Sequence, residues 1–333
     1  MLSQGVFPTE IRDEIERPNR KMAPGIFRGA EHRARDSGQE RLGERSGQDA
    51  AHDVFIDFPA VWALPRAVSH SSTTPARLAR AEFHHVRNLE VDARKCLALH
   101  RSEASWNCNV HKPLLDLALW KYCDSIALEN ATSARILPAF IPALVTGEAI
   151  RGKMVDFVLS PNFTAAGRTA SQSSHISNAT IDAAILKRLA MQPSAGSRNL
   201  GVNHTDYPPL LRAPTAVTIA TMIGSGSLED GRVRLGIWTA AWHIRMAALG
   251  ISGWEDGPLL PTLPLILTHE HQWSLYFAVD RGHKIEILGG IQIGTTSTTQ
   301  GIYQLLAVLR LLADWIETEF KEWVVTAFTE DTS

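Results

Sequence analysis

Cysteine is scarce in this chain. Three residues, Cys96, Cys108 and Cys123, are spread over 333 positions with no Cys-x-x-Cys pair. That pattern excludes a disulfide framework and a structural zinc site of ordinary spacing, so free thiols in a reducing compartment are expected. Long apolar runs are missing too. No stretch of about 18 apolar residues is present to make a spanning helix. The N-terminal string MLSQGVFPTEIRDEIERPNRK has no apolar segment of the kind a secretory leader carries. The sequons at Asn130, Asn162, Asn178 and Asn203 are accordingly read as chance matches, and an intracellular location, cytoplasmic or nuclear, is expected. Charge of one sign is not in excess either: 33 Lys and Arg stand against 35 Asp and Glu, a net charge of −2. A broad phosphate-gripping face normally carries a visible surplus of basic residues, so nucleic acid is a disfavoured partner and a membrane is excluded as one.

What the chain does have is two regions of different character. Glu10 to Ala50 holds nine basic and nine acidic residues and few apolar ones, leaving 24 basic and 26 acidic residues elsewhere. Such a stretch cannot bury enough surface to offset its ordering entropy, so residues 1–75 are expected to be a poorly ordered or loosely docked extension. Residues 76–330 read as one α/β domain without internal repeats, a mixed β-sheet flanked by helices. Helices are expected over residues 76–100 and after Pro113 through VHKPLLDLALWKYCDSIALEN, with another in SNATIDAAILKRLAM capped by Ser177 or Asn178. RVRLGIWTAAWHIRMAAL reads as a strong amphipathic helix and TTQGIYQLLAVLRLLADWIETEFKEWVVTAF as a long C-terminal helix. KMVDFVLS, APTAVTIATMI, PLILTHEHQWSLYFAVD and KIEILGGIQIG read as strands.

Several strings in order carry a resemblance: EASWN (Glu103 to Asn107), Val-His-x-Pro-Leu-Leu (Val110 to Leu115), KMVDF, VNHTDYPPL, RLGIWTAAW, IEILGG and LLADWI. Together, over roughly residues 95–325, the chain resembles fungal PD-(D/E)XK nuclease-like domain proteins. The resemblance implies a restriction-endonuclease-like fold in which an Asp on one strand and a Glu-x-Lys on the next hold Mg²⁺ and orient the attacking water. It implies as well an upstream helix glutamate and a downstream glutamine. Asp156 matches the first acid and Glu103 the helix glutamate. The next strand, where Ser-Ile-Glu-Thr-Lys is implied, reads Thr218-Ile219-Ala220-Thr221-Met222, and Arg234 stands at the glutamine position.

A lone Asp156 is a poor Mg²⁺ site, because that ion is commonly held by one or two carboxylates plus substrate phosphates. Without the lysine, a charge that would stabilise the deprotonated water is gone as well. The alternative spellings do not restore it. Glu319-x-Lys321 lies on a helix where i and i+2 diverge, and Lys284-Ile285-Glu286 reads as a solvated strand pair. His269-Glu270-His271 would put two imidazoles on one face of a strand but lacks a third ligand. His84 and His85 read as surface residues, His243 as a packed one, and Trp238, Trp242, Trp315 and Trp323 as helix core.

The expected function is thus a repurposed nuclease-like fold whose central cleft takes a small apolar molecule, with no cofactor or metal, as a metal-independent isomerase or cyclase would. Asp156, Glu103, His204, Tyr207 and Arg234 are its candidate catalytic groups, and Ala220, Met222 and Trp238 its pocket lining. A catalytically dead nucleic-acid- or protein-binding module is the alternative, followed by an active nuclease with a rearranged site.

Overall fold

A two-residue strand, β1 (Ile15–Glu16), precedes the domain. Val86, Leu89, Ala93 and Cys96 then recur at helical spacing and form the buried stripe of α1 (Ala76–Ala98). A continuous helical rod follows, built from α2 (Glu103–Trp106), a π-helical turn over Asn107–His111, and α3 (Lys112–Leu119). The π-turn has a covalent cause. Pro113 has no N–H to return to the carbonyl four residues back, and the Lys112 N–H bonds to the carbonyl of Asn107. This computed structural model describes residues 76–143, 155–163, 177–192, 201–224, 226–251 and 260–329 together with β1. The order expected of residues 1–75 therefore lies outside the described residues, β1 apart.

After the rod come β2 (Ile126–Asn130), β3 (Phe157–Pro161), α4 (Asn178–Ala190), β4 (Val217–Met222), α5 (Leu228–Ala248), β5 (Leu263–His269), β6 (Gln272–Asp280) and β7 (Lys284–Thr295). The chain then runs through α6 (Thr299–Trp315), a second π-turn (Ile316–Phe320) and α7 (Lys321–Thr329). The strands form one mixed sheet in the order β1-β7-β6-β5-β4-β3-β2. Only β4 and β5 are parallel, joined by the α5 crossover; all other neighbours are antiparallel. This is the α/β fold expected, a mixed sheet with flanking helices, restriction-endonuclease-like in type. β3 and β4 are buried at every position, as strands covered on both faces must be.

Two local expectations give way. Ile126–Asn130 is a strand rather than a continuation of the preceding helix, because pairing with Phe157–Pro161 outweighs a local helical pattern. The single strand expected over PLILTHEHQWSLYFAVD is a hairpin. Glu270 takes φ +51° at its tip, and His269 pairs with Gln272 across the turn, so His269 and His271 do not share a strand face.

Serine and threonine caps define the helix starts. Ser177 accepts from Thr180 N–H, Ser227 from Glu229 and Asp230 N–H, and Thr298 from Gly301 N–H, each a contribution of about 1 kcal/mol. At Gly301 the backbone of α6 closes on β7 so tightly that a Cβ would collide with the Thr295 carbonyl oxygen. Backbone cannot yield as a flexible side chain can. Gly301→Ala is therefore expected to lower stability by about 1–3 kcal/mol, read as a lower urea midpoint with an unchanged slope.

Candidate functional site

Asp156 stands one residue ahead of β3, and its main chain is clamped on both sides. Its N–H donates to the Ile219 carbonyl at 2.9 Å, and its carbonyl accepts from Ala131 N–H at 2.8 Å. The side chain is 1% exposed. Asn107 Nδ2 donates to one carboxylate oxygen at 2.6 Å, and the Thr221 N–H donates to the other at 2.8 Å. Asn107 in turn pairs its Oδ1 with His111 Nδ1 at 2.8 Å, which makes His111 the donor there. Asn107 and His111 bracket the π-turn, so the local break that Pro113 causes aims both inward.

The imidazole of His111 is enclosed by rings. It stacks on Trp106 with centroids 5.7 Å apart and meets Trp273 edge-on at 5.5 Å. Trp106 also meets His271 edge-on, and His271 Nδ1 lies 2.9 Å from Thr296 Oγ1. Desolvation pushes the His111 pKa down to about 4, with the Glu270 main chain and the Asp156 charge acting in the opposite sense, so the ring is neutral at pH 7. Burial lowers the His271 pKa as well, against the pull of Glu270.

The opposite face of the sheet carries a separate group. Side chains alternate along β4, and Ala220 and Met222 share the face of Leu267, their parallel neighbour's side chain. That face is covered by α5. A Cβ at Gly231 would lie 3.2 Å from Met222 Cγ, and Arg234 Nη1 reaches Met222 Sδ at 3.8 Å. Trp238, one turn further along α5, is buried, and its ring meets that of His204 edge-on at 4.2 Å. His204 is fully buried, and among the described residues neither ring nitrogen has a hydrogen-bond partner. Desolvation alone brings its pKa down to about 3.

The residues singled out in the sequence thus fall into two groups. Ala220, Met222, Arg234, Trp238 and His204 lie along the seam between the sheet and α5, while Asp156 lies with Asn107 and His111. Glu103, half-buried in the first turn of α2, stands one turn ahead of Asn107 on the same helical face. Tyr207 is half-buried against the core at the start of the Pro208–Leu210 turn. His84 and His85 are exposed and His243 is buried. Sequence reasoning did not reach the roles of Asn107 and His111. Their signal was present in the four-residue spacing Glu103, Asn107, His111, which repeats one helical face.

Among the described residues no group of three or more His, Cys, Asp or Glu side chains is placed to hold a metal ion, and no helix is long and apolar enough to cross a membrane. Both oxygens of Asp156 are engaged by protein donors, and Ala220 and Met222 bring no ligand atom of carboxylate or amine type.

Two measurements test this arrangement. Asn107→Ala strips a donor from a buried carboxylate and is expected to cost about 1.5–3 kcal/mol in urea unfolding. The two depressed histidines set a pH dependence. His111 and His204 stay neutral in the folded chain below their ordinary value of 6.5 but take up protons on unfolding. Their contribution to stability is complete above about pH 6.5 and declines as the pH falls toward 4, by about 1.4 kcal/mol per pH unit for each ring. Unfolding midpoints at pH 7, 6 and 5 should therefore fall, and His204→Phe should flatten the decline.

Compared with known proteins, the chain matches a model of the PD-(D/E)XK nuclease superfamily over residues 53–321. No curated protein and no solved structure matches it.

Proposed function

The chain belongs to the PD-(D/E)XK nuclease superfamily, and from that premise we propose that it has relinquished metal-dependent phosphodiester cleavage and holds a small, largely apolar molecule within the same fold. The commitment of Asp156 carries the reading. Its carboxylate is buried, and its two oxygens accept from the Asn107 amide and the Thr221 N–H. Mg²⁺ retains waters and is commonly held by one or two carboxylates plus substrate phosphates, so an Asp156 already shared with two protein donors makes a weak ligand by itself. With Ala220 and Met222 where the resemblance implies the second carboxylate and the lysine, the donor set does not fit such an ion.

The α5 side of β4 supports the ligand part of the reading. His204 is a neutral imidazole whose two nitrogens have no partner among the described residues, set edge-on against the buried Trp238 ring. One nitrogen can donate while the other accepts, so a small molecule with a single hydroxyl or carbonyl finds both an apolar wall and one polar anchor. Proton transfer through such an imidazole is the type of chemistry that isomerisation or cyclisation without a metal requires. Arg234 brings a cation to this seam through its contact with the Met222 sulfur.

The test is direct. Full-length protein incubated with supercoiled plasmid and with single-stranded DNA, in Mg²⁺ or Mn²⁺, is expected to produce no nicking above the buffer background. Metal-dependent cleavage that Asp156→Asn abolishes would sink the proposal and establish a working nuclease.

A further inference from the structure

We propose that Thr221, Thr268 and Trp273, beside the Asp156–Asn107–His111 unit, line an internal hydration site holding ordered water. This inference does not rest on the functional reading above, since it concerns the opposite face of the sheet and no ligand of the α5 seam.

Cross-strand register supplies the geometry. Thr221 on β4 is the Cα partner of Thr268 on β5, and Thr268 is the Cα partner of Trp273 on β6. Paired residues on neighbouring strands point their side chains to the same face, so the three form one row across the sheet. The row faces the helical rod, because the ring of Trp273 meets His111 edge-on at 5.5 Å and the Thr221 main chain binds Asp156. All three side chains are fully buried. Thr221 Oγ1, Thr268 Oγ1 and Trp273 Nε1 nevertheless have no hydrogen-bond partner among the described residues.

One buried hydroxyl without a partner is a tolerable loss. Three such atoms in a single row, two of them on threonines that valine would replace without change of shape, are a different matter. Buried polar groups are bonded in the great majority of cases, and internal water is the usual partner where protein supplies none. The set also has the right complement. The indole offers one donor and each hydroxyl offers a donor and two acceptors, so water can bridge the row with the two to four bonds it requires. The occupant has to be small, because all three side chains are fully buried, and the neighbouring carboxylate of Asp156 already has donors from Asn107 and Thr221.

Thr221→Val and Thr268→Val in the full chain separate the alternatives, because valine keeps the shape and removes only the hydroxyl. If water bridges the row, each substitution strands that water's remaining bonds and lowers Tm by roughly 2–4 °C. The Trp273 indole N–H should also show a nuclear Overhauser effect to water with the sign of a long-lived molecule, lost in Thr268→Val. If the hydroxyls have no partner, removing them relieves a desolvation cost, and Tm stays level or rises. That outcome overturns the proposal. So does a drop in Tm without the water cross-peak, or a cross-peak to non-exchangeable protons of another molecule in its place.

Discussion

A carboxylate removed from water has to be met by donors, and the interior of this fold is arranged around meeting those of Asp156. Three chain segments distant in sequence supply what it needs. The π-turn brings Asn107, β4 brings the Thr221 N–H, and the end of β2 ties down the Asp156 carbonyl through Ala131. These contacts join the helical rod to the centre of the sheet beside the β3–β4 ladder. The aromatic enclosure of His111 extends it. A neutral ring that must donate to Asn107 is held in orientation by Trp106 and Trp273, and cannot turn away without opening the core.

The sheet divides the chemistry of this superfamily member between its faces. One side keeps a polar, hydrogen-bonded interior built on Asp156. The other, where Ala220 and Met222 point, is a close seam with α5 in which Gly231 lets the helix backbone approach. His204 and Trp238 belong to that second side. Two buried imidazoles, His111 and His204, are both driven neutral by desolvation, but in different ways. The first is bonded into a network, whereas the ring nitrogens of the second have no hydrogen-bond partner among the described residues.

Much of the architecture was legible from periodicity. The buried stripe of α1, the cap at Ser177, the long helix α6 and the fully buried β4 all follow from local pattern, because local pattern is what burial imposes. The misses were at places where distant partners decide. IALEN became a strand because β3 lies beside it. His269-Glu270-His271 became a turn because the main chain of Glu270 meets Met222 and its side chain meets Gly224, both across from the hairpin.

The order of weak strings was enough, by itself, to indicate the superfamily type of the fold, and it places Ala220 and Met222 where the resemblance implies a carboxylate and a lysine. Which face each of those residues occupies, and what each touches, was decided only in three dimensions. A strand's alternation tells that Ala220 and Met222 share a side, but not what covers it; that depends on the crossover that lays α5 against them. Likewise Asn107 and His111 are ordinary helix residues until the chain folds back and gives Asn107 a buried carboxylate to satisfy, because a hydrogen bond between residues 49 apart in sequence has no local signature.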